Sequence, residues 1–261
     1  MGMDFSIVKI KATPIQVYHP SINIDGNDEL DAFCAGNGTF GNSTHPHRIE
    51  NFEILSDGPQ NGLKLANTDR YLIIQNVNIT QFFQSTTSRG IYIINCTHIT
   101  IDNCHFYNNS LGIVFENTNI SQIWNTSGSI NKETGVTFIN SHLNYVYNLV
   151  AFQNQKKNGM ELLNSNNNTI EYSIFLENLK NGLLLQNSFY NVIFDSYFLY
   201  NGEKCYSNPT DPEETNQFYN NSCRRKGIPG IPIGIMSGVS ICTIVVLVLI
   251  TLRYKNKKKI S

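Results

Sequence analysis

"GMELLNSNNNTIEYSIFLENLKN", Gly159 to Asn181, is one period of a repeat that decides the fold. Its leading glycine is followed by an apolar residue, by another two places on, and by asparagine at the fifth place. The same order starts at Gly62, Gly90, Gly112, Gly135 and Gly182, at successive spacings of 28, 22, 23, 24 and 23 residues. Self-similarity at a period of 20–50 residues is the mark of stacked architectures.

Counting from each glycine, step 5 is asparagine in all six copies: Asn67, Asn95, Asn117, Asn140, Asn164 and Asn187. Step 19 is Asn109, Asn131, Asn154, Asn178 and Asn201, with Gln81 in the copy that has the longest loop. Step 11 is apolar throughout: Ile73, Ile101, Ile123, Val146, Ile170 and Ile193. Apolar residues at alternate places read as short strands with one buried face. A coil this short cannot close its own core, but identical coils can stack so that each inward residue meets its equivalent. At a strand spacing of ~4.8 Å, stacked amides hydrogen-bond in ladders. Both asparagine rows are therefore expected to point inward, while Asn166 to Asn168 decorate an outer turn. Asparagine also tolerates the left-handed backbone that tight corners need.

The expected class is an all-β, single-stranded parallel β-helix with a C-terminal transmembrane helix. Segment 1–47 holds the cap, with a strand and short helix in "INIDGNDELDAF". The β-helix occupies 48–202, where "RIENFEI" from Arg48 aligns with "TIDNCHF" from Thr100, and a stalk covers 203–230. From Ile231 to Leu252 the chain has no charged residue over 22 positions. As a helix this run is long enough for a ~30 Å hydrocarbon core. The basic tail 253–261 then belongs in the cytoplasm and the β-helix outside it. The N-terminus shows no secretory h-region, so a leader is expected to precede this start.

The 261 residues include 36 asparagines, and charged residues make up only 15%. All 20 acidic residues lie at or before Glu214, against 14 basic ones up to Lys226, so the expected exterior carries no basic footprint for nucleic acid.

"GIYIINCTHITIDNCHFYNNS", the stretch quoted first and "GLLLQNSFYNVIFDSYFLYNG" resemble the NosD-type repeats, also called carbohydrate-binding and sugar-hydrolase repeats. The cap, the start at Arg48 and the Lys-rich anchor look like surface-anchored archaeal members. The resemblance covers roughly 48–202 and implies a right-handed β-helix. Its family includes copper-site maturation proteins, sugar-acting enzymes and surface proteins.

Step 12 must face outward if step 11 faces inward, and it carries Trp124, Tyr147, Glu171 and Phe194 on successive coils, with Tyr145 beside them. Aromatic faces at strand spacing suit the C–H face of sugars. The alternative cluster is Asp69, Arg70, His98, Asp102 and His105. Paired glycosidase carboxylates lie ~5–9.5 Å apart, whereas Asp102 and Glu171 are three coils apart, ~14 Å by stacking. "HPH" at His45 and His47 is the one metal-like pair; no CxxC or Met-rich motif exists, so neither metal nor cofactor is expected. Cys205 and Cys223 form the candidate disulfide. Nine N-x-[ST] sequons suit a glycosylated exterior, Asn95 being set aside as inward. The leading reading is an anchored extracytoplasmic binder of glycans or surface components. A polysaccharide lyase or hydrolase and a purely structural surface protein are the alternatives, and the oligomeric state stays open.

Overall fold

The computed structural model describes residues 16–210 and 215–224, apart from 57 and 59. Among them, 25 strands of two to six residues recur in threes and stack in parallel. Sheet 1 has nine strands, from Val17–His19 to Ser222–Arg224. Sheet 2 has eight, from Ile22–Asp25 to Tyr206–Ser207, and sheet 3 has eight, from His47–Glu50 to Gln217–Tyr219. Every strand pairs with its equivalent one coil away, so the chain is a parallel β-solenoid. Like meets like along the interior: Ile101, Ile123, Val146, Ile170 and Ile193 are aligned and fully buried. Phe115 stacks on Phe138 at 5.0 Å, and Phe175 on Phe198 at 4.9 Å.

The step-19 asparagines form the inward ladder. Asn109, Asn131, Asn154, Asn178 and Asn201 are all at most 2% exposed. Asn178 shows the pattern: its Nδ2 donates to Ala151 O at 2.9 Å and to Asn201 Oδ1 at 3.0 Å. Its Oδ1 accepts the Asn154 backbone N–H at 3.1 Å and Asn154 Nδ2 at 2.8 Å. Each amide thus satisfies backbone groups of its neighbours at a bend where strand pairing lapses. The repeat glycine makes room for it. A Cβ on Gly159 would lie 2.7 Å from Asn178 Nδ2 and 2.7 Å from Gly182 O.

The step-5 row is corrected. Asn67, Asn95, Asn117, Asn140, Asn164 and Asn187 are exposed, with φ between 47° and 56°. They occupy the left-handed corner that ends each strand of sheet 2, and the bend throws their side chains outward. Asn95, set aside as an inward sequon, faces out with them. An outer ladder joins only part of the row, from Asp25 through Asn67 and Asn95 to Asn117. The next residue turns inward instead, giving Thr118, Ser141, Ser165 and Ser188, each hydroxyl accepting the backbone N–H of the coil before from Ser141 onward.

Asn168 is not a decoration either. With Asn144, Asn191 and Asn216 it builds a second inward ladder; Asn168 N–H donates to Asn191 Oδ1 at 2.8 Å. Two register expectations shift as well. One extra residue in the corner after Asn67 puts Ile74, not Ile73, opposite Ile101. Gln81 takes a corner with φ 73°, and buried Phe82 fills the inward place, its N–H donating to Asn109 Oδ1.

The solenoid also outruns 48–202 at both ends. Val17–His19 and Ile22–Asp25 already pair with the following coil, and three short strands between Tyr206 and Arg224 extend the stack into the expected stalk. These end coils lack the glycine signature. The Cys205–Cys223 disulfide joins two walls of the last one, with Cα atoms 5.7 Å apart. Among the described residues no helix is long and apolar enough to cross a membrane. The run Ile231–Leu252 and the basic tail lie outside the described residues.

At the other end, helix α1 (Asn27–Cys34) covers the first coil with buried Leu30 and Cys34. Asp31 latches it. Arg70 grips Asp31 through Nε at 3.0 Å and NH2 at 2.8 Å, and His47 Nε2 lies 2.7 Å away.

Two expectations follow from this architecture. Asn178→Ala strands a buried N–H, a carbonyl and a partner amide, and should cost ~2–4 kcal/mol in urea melts. Asn164→Gly keeps the left-handed corner and should stay within ~0.5 kcal/mol; equal losses would remove the ladder's claim. Acid is the second lever. Hydrogen bonds from Arg70, then His47, hold the Asp31 carboxyl below its usual range. The folded pKa lies under the unfolded one, so the latch stabilises fully above ~pH 3.9 and fades as pH falls through the lowered value. Amide-exchange protection of α1 should drop there, and Asp31→Asn should abolish that acid step; an unchanged profile would contradict the latch.

Candidate functional site

Sheet 3 carries its outward row in register. Asp102, Trp124, Tyr147, Glu171 and Phe194 lie opposite one another on consecutive strands, and Tyr219 continues the row. The sequence placed these side chains on one face, and the structure keeps them there. Trp124 is 38% exposed. Its ring lies 6.4 Å from Tyr145 and 6.4 Å from Tyr147.

Tyr172 completes the run and was not foreseen. It sits at the corner where earlier coils carry Asn103, Asn125 and Asn148, with φ 48°. Its exposed ring contacts Tyr147 at 5.6 Å and Phe194 at 6.3 Å. A left-handed backbone costs a bulky L-residue roughly 1–2 kcal/mol, so tyrosine at this corner is the signal that could have marked it. The rings from Trp124 through Tyr147 and Tyr172 to Phe194 therefore form one broken aromatic surface.

Carboxylates border it. The Tyr145 hydroxyl donates to Glu171 Oε1. Burial pushes the Glu171 carboxyl up, and Asp195 adds to this. Asp195 also raises the Tyr172 phenol. Gln75 and Asn125 donate to Asp102 at 2.7 and 3.0 Å. No lysine or arginine occupies the outward or corner positions of this sheet from Asp102 to Asn220. The face offers rings and acceptors without cations.

The alternative polar cluster does not converge. Asp69 accepts from Asn27 at 2.9 Å, and Arg70 is committed to Asp31. His98 stacks on Tyr71 at 4.2 Å. Asp102 belongs to sheet 3, while His105 stands on sheet 1 beside Ser127 at 2.9 Å.

The stacked architecture agrees with sequence comparison: the model of the family described as "Periplasmic copper-binding protein (NosD)" matches residues 22–228. The chain belongs to the NosD family. No curated protein sequence matches it. Among solved structures, this NosD-family chain is similar to the periplasmic alginate epimerase AlgG, at 15% identity and a TM-score of 0.61. The match covers 78% of this chain and 58% of that one. The A-module of the Azotobacter vinelandii mannuronan C-5 epimerase AlgE4 follows at 12% identity and 0.52, covering 67% and 53%. An alginate lyase from Paenibacillus sp. str. FPU-7 is similar at 14% identity and 0.50, covering 77% and 75%. At such identities the likeness is one of fold.

Copper finds no fitting donors among the described residues, where no three His, Cys, Asp or Glu side chains gather. His47 is buried between Asp31 and Thr39, while His45 is exposed. Met160 lies in the core, and burial pushes the Cys96 and Cys104 thiols up to about 11 and about 12. Thiols so held stay protonated and are poor metal ligands.

Proposed function

We propose that this protein binds a neutral glycan along the aromatic face of sheet 3, without catalysis, outside the cytoplasm. The observation that carries this reading is the run Trp124, Tyr147, Tyr172 and Phe194, one ring on each of four successive coils. Successive ring centres lie 5.6 to 6.4 Å apart, and a sugar chain lying along the stack would find a C–H stacking partner on each coil. Glu171, Asp195 and Asp102 supply acceptors for hydroxyl groups. The lack of cations on this face disfavours a polyanion.

The run Ile231–Leu252 would tether the solenoid to a membrane, with the basic tail on the cytoplasmic side. Its length and flanking charges support that placement, and the word "periplasmic" in the family description supports a compartment beyond the cytoplasm.

A second reading is an enzyme acting on polysaccharide. Glu171, raised by burial and bonded to the Tyr145 phenol, has the character of a general acid. Release of reducing ends or unsaturated sugars from a polysaccharide panel would favour it, with loss in Glu171→Gln.

The binding reading is tested with the full chain on a glycan array, followed by titration of the best ligand. Trp124→Ala with Tyr147→Ala should weaken affinity at least tenfold while the urea midpoint shows a folded protein. Unchanged affinity in that folded double variant would refute the strip.

A further inference from the structure

The outward face of sheet 2 holds a second constellation, separate from the aromatic strip. A cleft of about 330 Å³ opens there between successive coils, at the small end of the range for ligand sites. Glu161 lies in it with only 7% of its surface exposed. Two donors fix one carboxylate oxygen: Asn158 Nδ2 at 2.7 Å and Thr134 Oγ1 at 3.1 Å.

A buried carboxylate calls for a counter-charge, and Glu161 has none. No ion pair among the described residues includes Glu161. Lys157 lines the cleft but, like Lys156, turns to Glu133, at 3.9 and 3.1 Å. Lys180 and Glu203 line the cleft as well, so the formal charges of its lining balance, yet neither Lys157 nor Lys180 forms an ion pair with Glu161.

A second observation points the same way. Asn181 lines the cleft and is 6% exposed. Its Nδ2 and its backbone N–H both donate to Asn158 Oδ1, at 2.9 and 2.8 Å. Its own Oδ1 is buried with no hydrogen-bond partner. A carboxylate without an ion-pair partner and an amide oxygen without a donor thus belong to two residues that line one cleft. A primary ammonium answers both, with one positive charge and three N–H donors. Leu163 and Leu184 line the same cleft and offer apolar surface to the ring that carries it.

We propose that this cleft binds an amino sugar through its free ammonium group, held by Glu161 and Asn181. Lys157 and Lys180 at the lining limit affinity by like-charge repulsion.

The test is calorimetric titration of the full chain, below the pKa of the sugar amine, with a fully deacetylated glucosamine tetramer. The N-acetylglucosamine tetramer and spermidine serve as the other arms. The glucosamine tetramer should bind, and the N-acetylated one at least tenfold more weakly. Spermidine should also trail it, because it brings charge without a ring. Glu161→Gln should lose at least tenfold in affinity. Lys180→Ala alters only an exposed side chain and should tighten binding several-fold, which keeps the proposal testable if Glu161→Gln misfolds. Trp124→Ala with Tyr147→Ala should leave these values unchanged, so that the two faces fail or succeed separately. The proposal is overturned by no binding, by equal binding of the two tetramers, by spermidine binding as tightly as the glucosamine tetramer, or by a folded Glu161→Gln with full affinity.

Discussion

The amide ladder inside the solenoid is the constraint from which the rest follows. Parallel strands of three or four residues leave backbone groups unpaired wherever the chain bends, and inside a coil no water reaches them. From Asn109 to Asn201, each side chain donates and accepts at such a bend and ties two coils together. The bond works only if every coil returns the same amide to the same height. That requirement sets the period near 23 residues and holds the glycine beneath each amide. It also brings the outward rows into register, although no outward residue takes part.

Much of this was visible in the residue order because the interior repeats and repetition is legible. The row from Ile101 to Ile193, the step-19 ladder and the outward row from Trp124 to Phe194 all follow from spacing. Direction was harder to read. Asn164 and Asn178 are the same residue type at equally regular steps, yet one is a corner and the other a core group. The distinction lies in φ, which composition does not display; the clue was the small polar residue after each corner, such as Ser165 after Asn164. Asn168 was hidden in a run of three asparagines, where only one faces inward. The end coils escaped because Cys205 stands where the pattern would place a glycine.

The outer faces were legible as rows but not as environments. Glu161 looks like one more acidic residue in sequence. Its burial arises from Asn158 on its own coil and Thr134 on the coil before, joined only by the stacking. Tyr172 was missed for a related reason, since a corner residue reaches across to rings on two coils. The fold leaves function to such outward positions. Interior rows are bound to one residue class, while each outward position can change with little effect on its neighbours in the core.

The long loop between Gly62 and Gly90 shows how far that independence goes. Residues 81–88 lengthen this coil, yet Ile79 still meets Phe106 on one side, and Ile91 meets Ile113 on the other. The added chain is tied off locally, with Ser88 N–H bonded to Ser85 O and the Ser85 hydroxyl to Thr87. A change of length here is absorbed before the next strand begins, whereas a single residue added within a strand would turn the later side chains of that strand to the opposite face. The loop is thus a natural insertion port: a foreign peptide or a small domain could be carried there, displayed at one fixed coil of the stack.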